Sequence, residues 1–164
     1  MKLEEFIEKT KSEKKLDLSS GEDLSIAIMN LISIEEHLAF TIMKTGDKKY
    51  FNILNKVREC RKKLLEKIVK NPTGEEWCIS KHLLGASMRL IETGNKYLKN
   101  EKEKEAHEFF NDALEIYSLF WAINLNINIG ESLEIKDKVD TQFIESKKFK
   151  VSDIFKKLLA CCKE

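Results

Sequence analysis

Cys78 and His82 stand four residues apart in a stretch of helical apolar spacing, so both fall on one helix face. A thiolate and an imidazole so placed could chelate a soft or borderline metal ion, with Glu75 and Glu76 one turn earlier. The alternative is a cysteine beside a histidine at an ordinary helix contact. A di-iron carboxylate centre would need Glu-x-x-His pairs on two helices. The residues three before His37, His82 and His107 are Ile34, Ile79 and Lys104, which excludes that pattern. A cysteine nucleophile would need a third group to orient the imidazole, and no spacing supplies one. Neither a glycine-rich phosphate loop nor a nucleophile elbow is present. The expectation is a protein without catalytic residues or cofactor.

Charged residues on apolar stripes make a second candidate. Glu35 falls within Leu31, Leu38 and Ile42, and Arg61 falls between Val57 and Leu64. Arg58 flanks that face, and Arg89 follows Met88. Glu35 lies eleven residues before Gly46, Arg58 twelve after it, and Arg89 eleven before Asn100. In antiparallel helices rising about 1.5 Å per residue, equal counts from a shared end mean equal height. Asp112 and Glu115 reach a similar level on a fourth helix. Charges at one level of a core must be paired or hydrated. The layer is either a structural salt-bridge network or a pocket in which Arg58 and Arg89 hold a small anionic or zwitterionic ligand.

Lys56, Arg58, Arg61, Lys62, Lys63, Lys67 and Lys70 make one helix basic, diluted by Glu59 and Glu66. No aromatics interleave with them, so bases would have no stacking platform. A solvated face is expected, with a contact to RNA or the ribosome as the alternative.

These residues require helices to position them, and the sequence supplies little else. It has 164 residues, one proline and six glycines, a composition for one domain of long helices. Ser19 with Glu22 forms a capping box opening a helix over 22–45, which Gly46 closes. Asp47 caps a helix over 48–70, broken at Asn71-Pro72. Thr73 with Glu76 opens a two-faced, central helix over 74–99. The next, 102–128, is the most aromatic, and Gly130 ends it. The predicted fold is all-α: an antiparallel bundle of four long helices within residues 1–130. A short helix over 2–14, edged by Leu3, Phe6 and Ile7, precedes it. A polar linker over 131–149 leads to an amphipathic helix over 150–164, whose Ile154, Phe155, Leu158, Leu159 and Cys162 would dock on the bundle.

Gly94, Tyr97, Ala106, Phe110 and Ala113 carry a family resemblance. Residues 87–120 resemble one tetratricopeptide repeat, a helical hairpin of about 34 residues with small residues where its helices approach. Leu90, Thr93 and Ser118 depart from that pattern. The resemblance implies binding of a peptide or partner protein, with Tyr97, Phe110, Tyr117 and Trp121 as the aromatic contact residues. Residues 74–94 are also similar to small all-helical proteins, which implies no particular activity.

With 29 basic and 28 acidic residues, the chain has no global field to attract nucleic acid or an anionic membrane. No stretch reaches the roughly 20 apolar residues of a membrane helix, and residues 1–15 hold no apolar run before a cleavage site. Cys60, Cys78, Cys161 and Cys162 are scattered unlike a disulfide framework and are read as thiols, and Cys161-Cys162 is a poor prenylation signal. A cytoplasmic protein-interaction module is the expected function. The alternatives are an interior ligand or metal site and an RNA-associated accessory role.

Overall fold

The computed structural model describes residues 18–126. They form four helices and no strand: α1 (Leu18–Thr45), α2 (Lys49–Leu65), α3 (Glu76–Lys99) and α4 (Glu103–Asn124). The expected helices over 2–14 and 150–164, the linker over 131–149, Gly130, Cys161 and Cys162 lie outside the described residues.

Local chemistry sets each boundary. α1 is already helical at Leu18, so Ser19 lies inside it and does not open it. Gly46 ends α1 with φ +64°, its N–H donating to Ile42 O at 2.8 Å. The Lys49 N–H then donates to Asp47 Oδ1 at 2.9 Å, the capping role expected of Asp47. α2 stops at Leu65, short of Lys70. The chain tightens into turns in which Lys67 and Ile68 donate to carbonyls three residues back, and Ile68 and Val69 are still carried into the core. The Thr73 N–H donates to Glu76 Oε2 at 2.7 Å, one arm of the expected capping box.

Two helix ends use residues other than glycine. At the end of α3, Glu101 takes φ +59° while Glu101 N–H donates to Leu98 O and Lys102 N–H to Tyr97 O. That is the Schellman pattern with glutamate in the left-handed position. α4 ends at Asn124, because Asn126 takes φ +53° and donates to Ile123 O. Asn126 thus does, four residues earlier, what was expected of Gly130.

Helices α1 and α2 form one antiparallel hairpin, α3 and α4 the other, and α1 packs on α3 to join them. Ile32 meets Gly85, while Ser33 and Glu36 meet Arg89, so α1 and α3 run parallel. The two hairpin turns, α1–α2 and α3–α4, therefore lie at one end of the molecule, the tip end, and the α2–α3 connection lies at the other. The core fills the other: Ile28, Met29, Leu65, Ile68, Val69, Leu84, Tyr117, Phe120 and Trp121.

The α3–α4 seam is built from small residues two turns apart: Ser80, Ser87 and Gly94 against Ala106 and Ala113, all buried. Small side chains let the backbones approach and leave the aromatics to fill the flanks. Its hydroxyls are satisfied, Ser87 and Ser118 donating to the carbonyls of Leu83 and Leu114.

α1 carries an unexpected property. Ser20–Thr45 is long and apolar enough, by length and composition, to cross a membrane. The sequence reading missed this because serines, Asn30 and Glu35-Glu36 interrupt the run. Only 11% of its most apolar window is buried, so packing against α2 and α3 does not account for most of that apolar character.

Candidate functional site

At mid-height, two ion-pair groups flank α1. On the α2 side, Arg61 forks onto Glu35, with Nε–Oε1 at 2.8 Å and Nη2–Oε2 at 3.1 Å. Arg61 is buried, and Arg58 Nε adds a longer contact to Glu35 at 3.8 Å. On the α3 side, Arg89 Nε meets Glu36 Oε2 at 2.9 Å, and its Nη2 donates to Ser33 Oγ. Equal counting from the turns thus brings Glu35 to the level of Arg58, whereas its tight partner Arg61 lies fifteen residues after Gly46, nearly one helical turn farther along α2. Arg89 stands at that level, but on the other side of α1.

Two expected members are absent from this layer. Asp112 and Glu115 are exposed, because Ala113 and Tyr117 take the inward face of α4. Glu36 is the member the sequence reading missed. Its signal was available: Ser25, Met29, Ile32, Glu36 and Met43 recur at intervals of four, three, four and seven, one face of the helix. Arg58 and Arg89 do not converge on a shared pocket. Each guanidinium faces a carboxylate of α1, so the arrangement does not resemble an anion site waiting for charge.

A groove of about 580 Å³ lies between α1 and α3 beside this layer, lined by Met29, Ile32, Glu36, His82, Met88 and Arg89 among others. His82 and Cys78 are exposed on α3. Among the described residues no group of three or more metal-ligating side chains comes together. Lys56, Arg58, Lys62, Lys63, Lys67 and Lys70 are all exposed, with Glu59 and Glu66 among them. Burial of Arg61 removes it from that face.

The aromatic hairpin requires correction as a contact surface. Tyr117 and Trp121 are buried, stacked edge-on at 6.2 Å within the core, and Tyr117 OH meets Ser25 Oγ at 2.6 Å. Neither side chain is presented to a partner. Tyr97 and Phe110 are half-buried, Tyr97 against Phe109 at 4.9 Å between centroids and Phe110 over Gly94. The periodicity that marked these residues as aromatic and clustered is equally that of a core.

Exposed apolar surface is richest elsewhere, at the tip end, with Ile26, Ile34 and Ile79 the exposed apolar side chains nearer the core end. Along α3, Leu84, Ile91 and Leu98 lie seven residues apart on one stripe, and their exposure rises from 0% to 37% to 47%. Along α1, Met29 is 3% exposed, Phe40 50% and Met43 70%. Phe51 on α2 is also exposed. The stripes that make the core at one end continue uncovered past Arg89 and Glu36 at the other. The sequence signals this only through length, since the apolar spacing persists to the helix ends while cover does not. Comparison with protein-family models, with curated proteins and with solved structures finds no match.

Proposed function

We propose that this protein is a non-catalytic helical interaction module that takes an amphipathic helix of a partner protein between the two hairpin tips. The observation that carries the reading is the emergence of the inward stripes of α1 and α3 into solvent at Phe40, Met43, Ile91 and Leu98. Apolar side chains repeating at helical spacing on two neighbouring, parallel helices offer the seam that a third helix fills. The mid-height ion pairs would set how deep such a helix can lie. The tetratricopeptide-like pattern supports the same reading, since Gly94, Ala106 and Ala113 stand in the close α3–α4 seam.

The test is site-specific photo-crosslinking from residues 43 and 98, with exposed Lys62 as the control position. The reading expects a discrete protein partner captured from 43 and 98 and not from 62, lost on Met43→Glu with Leu98→Glu. Equal capture at all three positions would sink it. Both glutamates replace exposed side chains, so the melting temperature should hold or rise while binding disappears.

A further inference from the structure

We propose that the chain's own residues 150–164 lie along the exposed tip-end stripes of α1 and α3, the groove between Phe40 and Met43 on one side and Ile91 and Leu98 on the other, and must be displaced by any partner helix. The inference rests on the reading that the groove accepts an amphipathic helix, and it names the first occupant.

Three observations support it. In the sequence after residue 150, Ile154, Phe155, Leu158, Leu159 and Cys162 recur at spacings of one, three, one and three, a single apolar stripe if helical, with Lys156 and Lys157 off it. The stripe matches the uncovered surface in size, because Ile154 to Cys162 spans about 12 Å as a helix and Ile91 to Leu98 about 11 Å.

Reach is the second observation. α4 ends at the core end, where Asn124 Nδ2 donates to Ser80 Oγ at 3.1 Å. From Ser80 to Leu98 the helix rises about 27 Å. The chain between Asn126 and Asp153 can extend to roughly 85 Å, which covers that distance with slack. A segment joined to the same chain meets the groove at a higher effective concentration than a separate molecule would, so a modest helix–groove contact suffices to hold it.

The third observation discriminates between the two ends of the sequence. Residues 1–17 also precede α1 from the core end, but after Ile7 only about 33 Å of extended chain leads to Leu18. They carry a shorter apolar set, Leu3, Phe6 and Ile7. The later segment has both the longer reach and the longer stripe.

The experiment uses the full chain with Cys60→Ser and Cys78→Ser, leaving Cys161 and Cys162. Met43→Cys is compared with Ile79→Cys, an exposed position at the core end and so nearer the start of the tether. Under diamide in dilute solution, the disulfide from residue 43 to 161 or 162 should form at least tenfold faster than that from residue 79. Phe155→Glu with Leu159→Glu should abolish the difference. Equal rates, a faster reaction at 79, or a bond joining two chains would overturn the proposal.

A second readout separates it from the function proposed above. The Phe155→Glu, Leu159→Glu protein should bind 8-anilinonaphthalene-1-sulfonate several-fold more than the parent, and Met43→Glu with Leu98→Glu should remove the gain. If parent and tail variant bind the dye equally, and the groove substitutions remove it from both, the groove stands and the tail is not its occupant. Dye binding indifferent to Met43 and Leu98 would overturn both.

Discussion

Arg61 brings a guanidinium into the bundle and meets one carboxylate through two hydrogen bonds. The fork geometry satisfies both oxygens of Glu35, which is the condition under which a buried pair is tolerated. Glu35→Ala would leave that cation buried and unpaired, and should cost roughly 3–5 kcal/mol in a chemical melt. A joint Glu35→Leu, Arg61→Met protein should recover most of the loss. A single variant that melts with the parent would mean that the pair is hydrated. Gly94 gives a second test. A methyl group there would stand 2.5 Å from Phe110 Cε1 and 2.8 Å from Cδ1. Helix propensity favours alanine by about 1 kcal/mol, while overpacking costs about 1–3 kcal/mol, so Gly94→Ala should be net destabilising. Combined with Phe110→Leu, the two losses should sum to less than their separate values, and strict additivity would show that the ring is not the obstacle. Glu35 and Arg61 were legible in the sequence because each interrupts an apolar stripe. Their separation from Arg89 was not, because counting from a turn gives height along an axis and not the side of a helix.

At the scale of the elements, ends were less legible than stripes. Gly46, Asp47 and Thr73 act where their residue types suggest, but Glu101 and Asn126 take left-handed backbone that composition does not announce. A side chain in that region costs roughly 1–2 kcal/mol. Glu101→Gly should therefore hold or raise stability by up to about 1 kcal/mol, the unfolded chain's greater freedom offsetting part of the relief. A thermal melt lowered by this change would place the strain elsewhere. The turn between α1 and α2 carries a pH signature. Asp47 accepts the Lys49 backbone N–H and then its ammonium, and both hold its carboxyl below the ordinary value of 3.8. The unfolded chain therefore binds this proton more readily than the folded one. The cap contributes fully above the ordinary carboxylate range and is lost as pH falls through the lowered value. The Lys49 amide shift should titrate with a midpoint below 3.8, and a midpoint at or above it would remove Asp47 as the cap.

The whole molecule is unequal from end to end. The apolar spacing announced four helices and their neighbours in sequence, so the all-α class was readable at once. It did not announce that α1 and α3 would form the joint between hairpins, nor that the core would fill one end and leave the same stripes open at the other. That outcome depends on which faces meet, and a stripe has the same spacing whether covered or bare. The inequality extends to the two tryptophans. Trp121 is buried beside Tyr117 and Phe120, and its indole N–H meets no acceptor among the described residues. Trp77 is half-exposed at the start of α3. An indole held in apolar surroundings emits at shorter wavelength than one that water can reach. The emission spectrum should therefore divide into a blue component that iodide fails to quench and a red one that it quenches. Trp77→Phe should leave the blue component alone, giving a single-colour optical reporter of the packed end.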